Sequence, residues 1–155
     1  MVPASPPVST ARPADGAGPE PAITCRGAVY PWQCDHIGHL NVMWYVGKFD
    51  EATWNLFALV GLTPSYLRAG SNGMAAVQQN ITYKREMMPG DVLTVRSRML
   101  EVREKVIRFV HEMVAGETGE VAALCELTVV HLDRTRHTSS PLPPDVAARA
   151  RALIA

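Results

Sequence analysis

The chain has 155 residues, 47% hydrophobic and 19% charged, with 15 Lys plus Arg against 15 Asp plus Glu. That is one domain's length with enough apolar material for a core, and the balanced charge excludes a global field toward DNA, RNA or an anionic membrane. No apolar run approaches the roughly 18 residues of a membrane span and no secretory signal opens the chain, while Cys25, Cys34 and Cys125 form no C-x-x-C pair and read as reduced thiols in a cytoplasm.

Residues 1–22 hold six of the twelve prolines, and their only bulky aliphatics are Val2 and Val8. So little apolar surface does not offset the entropy of ordering, and a disordered tail is expected, followed by a folded domain over residues 23–140. TCRGAVYPW reads as a short first strand running into a polar loop, QCDHIGH. From Asn41 to Val60, Tyr45, Phe49, Ala52, Leu56 and Leu59 recur every three or four residues and Gly61 stands as a stop, which predicts a long helix. Its other faces carry Met43, Trp44, Val46, Trp54 and Phe57, so other structure is expected to wrap it on most sides.

MAAVQQNITYK, DVLTVRSRMLEV, KVIRFVHEMVA and EVAALCELTVVHLD then read as strands, being rich in β-branched residues with partial alternation. Short turn signals separate them at Pro89-Gly90-Asp91, Arg103-Glu104 and Gly116-Glu117-Thr118-Gly119, which predicts that successive strands are antiparallel neighbours. Within residues 141–155, DVAARARALIA predicts a short terminal helix with Asp145 as its cap. The whole is an α+β pattern: an antiparallel five-stranded sheet curled around one long helix.

G-x-S-x-G, a phosphate loop ending in G-K-S/T, H-E-x-x-H and G-x-G-x-x-G are all absent. What remains is the polar cluster Trp32-Gln33-Cys34-Asp35-His36-Ile37-Gly38-His39-Leu40-Asn41, directly before the long helix. A helix start offers unpaired N–H groups and a positive dipole end, suited to an oxyanion on a thioester carbonyl, and a carboxylate just upstream can attack that carbonyl or activate water. Asp35 is the candidate; the plainer reading makes Asp35 or Asn41 a helix cap.

The run D-H-I-G-H-L-N-V-M-W-Y-V-G-K-F-D-E-A-T-W, with Ile81-Thr82-Tyr83 and Met88-Pro89-Gly90-Asp91 beyond it, resembles the hotdog-fold thioesterases of the 4-hydroxybenzoyl-CoA thioesterase family over roughly residues 24–140. The resemblance implies a hotdog fold, hydrolysis of an acyl-CoA without a cofactor, and sites shared between subunits of a homodimer or homotetramer. It makes Asp35 the catalytic carboxylate and the backbone N–H of Val42 the oxyanion donor. Two positions depart from the family loop: Gln33 stands for its first Asp and Val42 for its second Asn. Two other readings stay open, a hydratase or dehydratase of the same fold using Asp35 with His39, and a non-catalytic acyl-CoA binder.

His36 and His39 lack further ligands at helpful spacing, so no metal is expected. His39 reads as a loop hydrogen-bonding residue, Gly38 as a point of backbone freedom or close ligand approach, and Cys34 as a packed thiol with no partner base. Glu51, inside the helix, is the second-choice carboxylate or else a solvated helix residue. Gly47 costs about 1 kcal/mol in a helix relative to Ala, which points to a close neighbour or a passing substrate. Lys84, Arg85, Arg103, Lys105, Arg134 and Arg136 form the pool from which groups for CoA phosphates are expected. Gly38 and Asn41, with Trp32, Trp44 and Tyr45, are the candidate substrate-binding residues. The rings, Trp54 included, read either as core or as an acyl pocket. The same stretch resembles thioesterases linked to carnitine breakdown, whose betaine-like acyl groups carry a trimethylammonium that aromatic faces attract by about 0.5–2 kcal/mol.

Overall fold

The computed structural model describes residues 18–154; residues 1–17, most of the expected tail, and Ala155 lie outside the described residues. In chain order come β1 (Ala22–Ala28), a 3₁₀ turn (Pro31–Gln33), α1 (Val42–Leu59), α2 (Pro64–Arg68), β2 (Asn72–Tyr83), β3 (Val92–Val102), β4 (Val106–Ala115), β5 (Val121–Asp133), β6 (Thr138–Ser139) and α3 (Pro144–Arg151). The first strand stops before Tyr30 and Trp32, because Pro31 cannot donate to a ladder and opens the 3₁₀ turn instead. The additions, α2 and β6, are too short for any periodicity to reveal them.

The long strands form one curled antiparallel sheet in the order β1-β3-β4-β5-β2, with β6 beside the end of β5. Two of the three short connections join neighbours as expected. The first does not: β2 pairs with β5 while β3 pairs with β1, so the chain crosses the sheet between them. Pro89-Gly90-Asp91 turns against Val29 rather than against β2, with Gly90 N–H donating to Val29 O and Val29 N–H to Asp91 O, both at 2.8 Å. That crossing carries segment 84–91 past the start of α1.

α1 packs across the inner face of the sheet through Tyr45, Phe49, Ala52, Thr53, Leu56 and Phe57. Burying each large apolar side chain in such a stripe contributes roughly 1.5–3 kcal/mol. Gly61, at φ +98°, ends the helix in a left-handed turn that favours glycine. The expected wrapping on most sides is not found among the described residues. Leu59, expected on the buried stripe, is exposed, as are Val42, Met43, Val46 and Trp54, because the sheet curls over one side only. α3 lies against β3 and contributes Val146, Ala147 and Ala150 to the same core.

One polar chain runs through this core. Thr24 Oγ1 and Ser97 Oγ lie 2.6 Å apart, Ser97 Oγ meets His111 Nδ1 at 2.6 Å, and His111 Nε2 meets Thr53 Oγ1 at 2.9 Å. His111 is fully buried, so its ring pays no penalty only while neutral, and burial pushes its pKa down to about 3.

Candidate active site

Loop 30–41 is a miniature hairpin. Cys34 and Leu40 face each other across an antiparallel bridge, and the turn between them closes through Gly38 N–H to Asp35 O at 3.0 Å and Asp35 N–H to His39 O at 3.2 Å. Gly38 sits at φ +96°, and a Cβ there would meet nothing within 4 Å, so glycine answers to backbone conformation rather than crowding. Gln33, in the place of the family's first Asp, is buried and accepts Tyr30 N–H at 3.0 Å, while its carbonyl accepts Asn41 N–H at 2.9 Å. It props the loop from inside. Leu40 N–H donates to Met87 O at 2.8 Å, tying the loop to the crossing segment.

The carboxylate of Asp35 takes Ile37 N–H at 2.9 Å on Oδ1 and the Asn41 amide Nδ2–H at 2.8 Å on Oδ2. The Asn41 bond first, and the Ile37 bond second, hold its pKa below the usual carboxylate range. Asn41 Oδ1 meanwhile accepts Met43 N–H at 3.0 Å, so Asn41 is the helix cap. Trp44 and Tyr45 N–H groups turn to Asn41 O at 2.9 and 3.4 Å. Val42 N–H is left as the first-turn donor with no acceptor among the described residues. Asn41→Ala is expected to cost about 1 kcal/mol of stability by loss of the cap, read from urea unfolding, and to lower turnover as Asp35 loses its anchor.

Beside Val42 opens a cavity of about 260 Å³ lined by His39, Tyr45, Tyr83, Lys84 and Arg85 among others. Tyr45 is buried, donates its hydroxyl to Arg85 O at 3.2 Å and meets Tyr83 edge-on, with 5.1 Å between ring centroids. Burial raises its phenol pKa. His39 Nε2 lies 3.6 Å from Glu86 Oε1, while its Nδ1 is buried without a hydrogen-bond partner among the described residues. Arg85 pairs with Glu120 and donates to Thr118 Oγ1 at 2.8 Å.

Of the basic pool, Lys84 and Arg85 stand at this cavity. The other four do not. Arg103, paired with Glu101, and Lys105 flank the turn at the start of β4, whose ten residues span roughly 30 Å from that turn to the end near Arg85. Arg134 donates to Leu67 O and Gly70 O at 3.1 and 2.9 Å, and Arg136 lies 3.9 Å from Asp133. Glu51 is likewise kept from Asp35: its Oε2 accepts Cys25 Sγ–H at 3.4 Å and lies 3.9 Å from Lys48 Nζ, beside β1. That contact, after burial, pushes the Cys25 thiol up to about 11. Cys34 Sγ points to Tyr30 O at 3.7 Å, and all three cysteines are free thiols.

The aromatic residues do not gather in one cage. Trp32 stacks on Tyr30 at 4.3 Å, Tyr45 meets Tyr83, Trp54 meets Phe57 edge-on at 5.8 Å, and Trp44 packs partly buried against the core. Gly47 lacks the close neighbour that its cost suggested, since a Cβ there would meet only Trp44 Cε3, at 3.9 Å.

The sequence matches the thioesterase-like superfamily over residues 29–150. The chain belongs to that superfamily. The betainyl-CoA thioesterase of Pseudomonas aeruginosa is 27% identical over 130 residues, covering 84% of this chain and 82% of that protein. The L-carnitine dehydrogenase/betainyl-CoA thioesterase of Agrobacterium fabrum is 30% identical over 110 residues, 71% of this chain, which spans only 22% of that longer relative. A Staphylococcus aureus protein solved in complex with CoA shares the architecture at a TM-score of 0.80 over 90% of each chain, with 16% identity. This superfamily chain therefore has the hotdog fold that its loop motif implied.

Proposed function

We propose that the protein hydrolyses a small acyl-CoA to the free acid and CoA, with Asp35 as the attacking carboxylate and Val42 N–H as the oxyanion donor. The observation that carries this reading is the double use of Asn41, whose amide caps α1 with one atom and holds Asp35 with the other. Asn41 thus ties a fixed carboxylate to the start of α1, where the positive end of the helix dipole lies and Val42 N–H is unpaired among the described residues. Its lowered pKa keeps Asp35 ionised at neutral pH but makes it a weak base, which favours direct attack over proton abstraction from water. An Asp35 oxygen bonds to the thioester carbon, the C–S bond breaks, and CoA leaves as the thiolate. Water then hydrolyses the mixed anhydride, releasing the acid and restoring Asp35. No metal or cofactor takes part. Lys84 and Arg85, which line the cavity, are the basic groups for CoA phosphates.

The hydratase reading finds less support, because His39 and Asp35 are joined only through backbone and the His39 ring turns to Glu86. Similarity to two betainyl-CoA thioesterases supports a betaine-like acyl group. Free thiols suit the reducing cytoplasm as its compartment. The test is a thiol-release screen over short, aromatic, β-keto and quaternary-ammonium acyl-CoAs, with kcat/KM on the order of 10⁴ M⁻¹s⁻¹ or more expected for at least one class. No release from any of them would sink the reading.

A homodimer or homotetramer belongs to the same proposal. Val42, Met43 and Val46 lie exposed on α1, and the edge strand β2 leaves Val77 exposed, a combination that a second copy would cover. Sedimentation at micromolar concentration is expected to give at least twice the 16.9 kDa chain mass. A monomer alone would remove the shared site.

A further inference from the structure

On the side of α1 that faces β2 and β5, Met43, Gly47, Asp50, Trp54 and Phe57 follow one another at helical spacing. With Gln79 they line a groove of about 370 Å³ whose walls are mainly apolar. Two features of this groove have no account among the described residues. The first is Asp50, an exposed carboxylate that accepts Trp54 Nε1–H at 3.2 Å. It has no ion-pair partner among the described residues, and the nearby Lys48 turns to Glu51 instead. The second is Gly47, a costly helix residue where a Cβ would touch only the edge of the Trp44 ring, at 3.9 Å.

We propose that this groove receives the far end of the acyl group, and that Asp50 with Trp54 is the receptor for a positively charged acyl terminus of the quaternary-ammonium class. The proposal rests on the thioesterase reading above. A carboxylate among apolar walls is stabilised when a cation meets it, and a trimethylammonium suits the site because it offers charge and methyl groups without hydrogen-bond donors. The Trp54 N–H fixes the orientation of the carboxylate, its ring supplies a flat apolar wall, and Gly47 leaves room for the acyl chain beside the helix. A second copy lying over this face would exclude water and strengthen the charge pairing.

Spacing selects the probes. Asp50 is eight residues beyond Val42, roughly 12 Å along the axis, and its side chain leans back toward the helix start. A betainyl group has one carbon between carbonyl and nitrogen, while a 4-(trimethylammonio)butanoyl group has three and reaches farther toward Asp50. Each is compared with its neutral carbon isostere, 3,3-dimethylbutanoyl-CoA and 5,5-dimethylhexanoyl-CoA respectively. In wild type the cationic member of at least one pair is expected to have the higher kcat/KM by about 10-fold or more, and Asp50→Asn is expected to collapse that ratio by at least about 10-fold. No preference in either pair, or a preference that survives Asp50→Asn, overturns the proposal. Gly47→Ala, which meets no clash, is expected to raise the melting temperature while lowering kcat/KM for both members of the preferred pair; unchanged kcat/KM would show that the groove is not the acyl site. A second readout is independent of turnover: tetramethylammonium chloride is titrated against tryptophan fluorescence, with tert-butanol as the neutral control. A saturable change in wild type that Asp50→Asn abolishes supports the receptor, and no saturable change in wild type counts against it. Cation binding without thioester hydrolysis would refute the thioesterase reading, and with it the acyl role of the groove, while keeping Asp50 as a cation receptor; hydrolysis without charge selectivity would refute this proposal alone.

Discussion

Asp35→Asn is expected to fold, to bind CoA products and to lower kcat by at least about 100-fold. Asn is nearly isosteric, and its carbonyl can still accept Ile37 N–H, so the miniature hairpin of loop 30–41 has no reason to open. What is lost is the anionic oxygen that accepts Asn41 Nδ2–H. A single wild-type turnover in ¹⁸O-water tests direct attack: label in Asp35 requires an anhydride that water opens at the Asp35 carbonyl, whereas general-base chemistry, or opening at the acyl carbonyl, puts the label into the released acid. Near-normal turnover of Asp35→Asn with a dead Glu51→Gln would move the chemistry to the helical carboxylate, against the contacts that tie Glu51 to Cys25 and Lys48.

Acidification is expected to destabilise the fold well before the carboxylates protonate. The folded-state pKa of His111 is pushed down to about 3, below the ordinary histidine value of 6.5, so the unfolded chain takes up a proton that the folded one refuses. Stability from this group is therefore complete above about pH 6.5 and falls by up to about 1.4 kcal/mol for each pH unit from there toward pH 3. Phe49 and Phe109 pack beside the ring, and Ser97 and Thr53 occupy its two nitrogens, so no carboxylate among the described residues is positioned to stabilise an imidazolium. Urea unfolding at pH 7, 5.5 and 4.5 checks the slope. His111→Gln, which keeps a hydrogen-bonding side chain but does not titrate, is expected to flatten it over that window at some cost in stability at pH 7. An equally steep fall in the variant would assign the acid limb to other groups.

The long helix, the five long strands and the loop bearing Asp35 were legible in the sequence because each rests on local rules: a 3.6-residue apolar repeat, alternation, and polar residues before a helix start. The expectation that β2 and β3 pair was also a local inference, and it failed for a non-local reason. β3 finds its partner in β1, some seventy residues upstream in register, and only that pairing draws segment 84–91 across the helix start, setting Tyr83, Lys84 and Arg85 beside Val42. Candidate carboxylates could be named from residue type, but tertiary contacts separated them by giving Glu51 to Cys25 and Lys48 and Asp35 to Asn41. The same holds for the aromatic residues, whose helical spacing was readable while their partners were not, since Tyr83 and Phe57 meet Tyr45 and Trp54 only after α1 seats on the sheet. The sequence by itself determined which groups can do chemistry here and that they precede a helix; the folded sheet decided which of them share a cavity, because pairing between distant strands sets positions that no local pattern encodes.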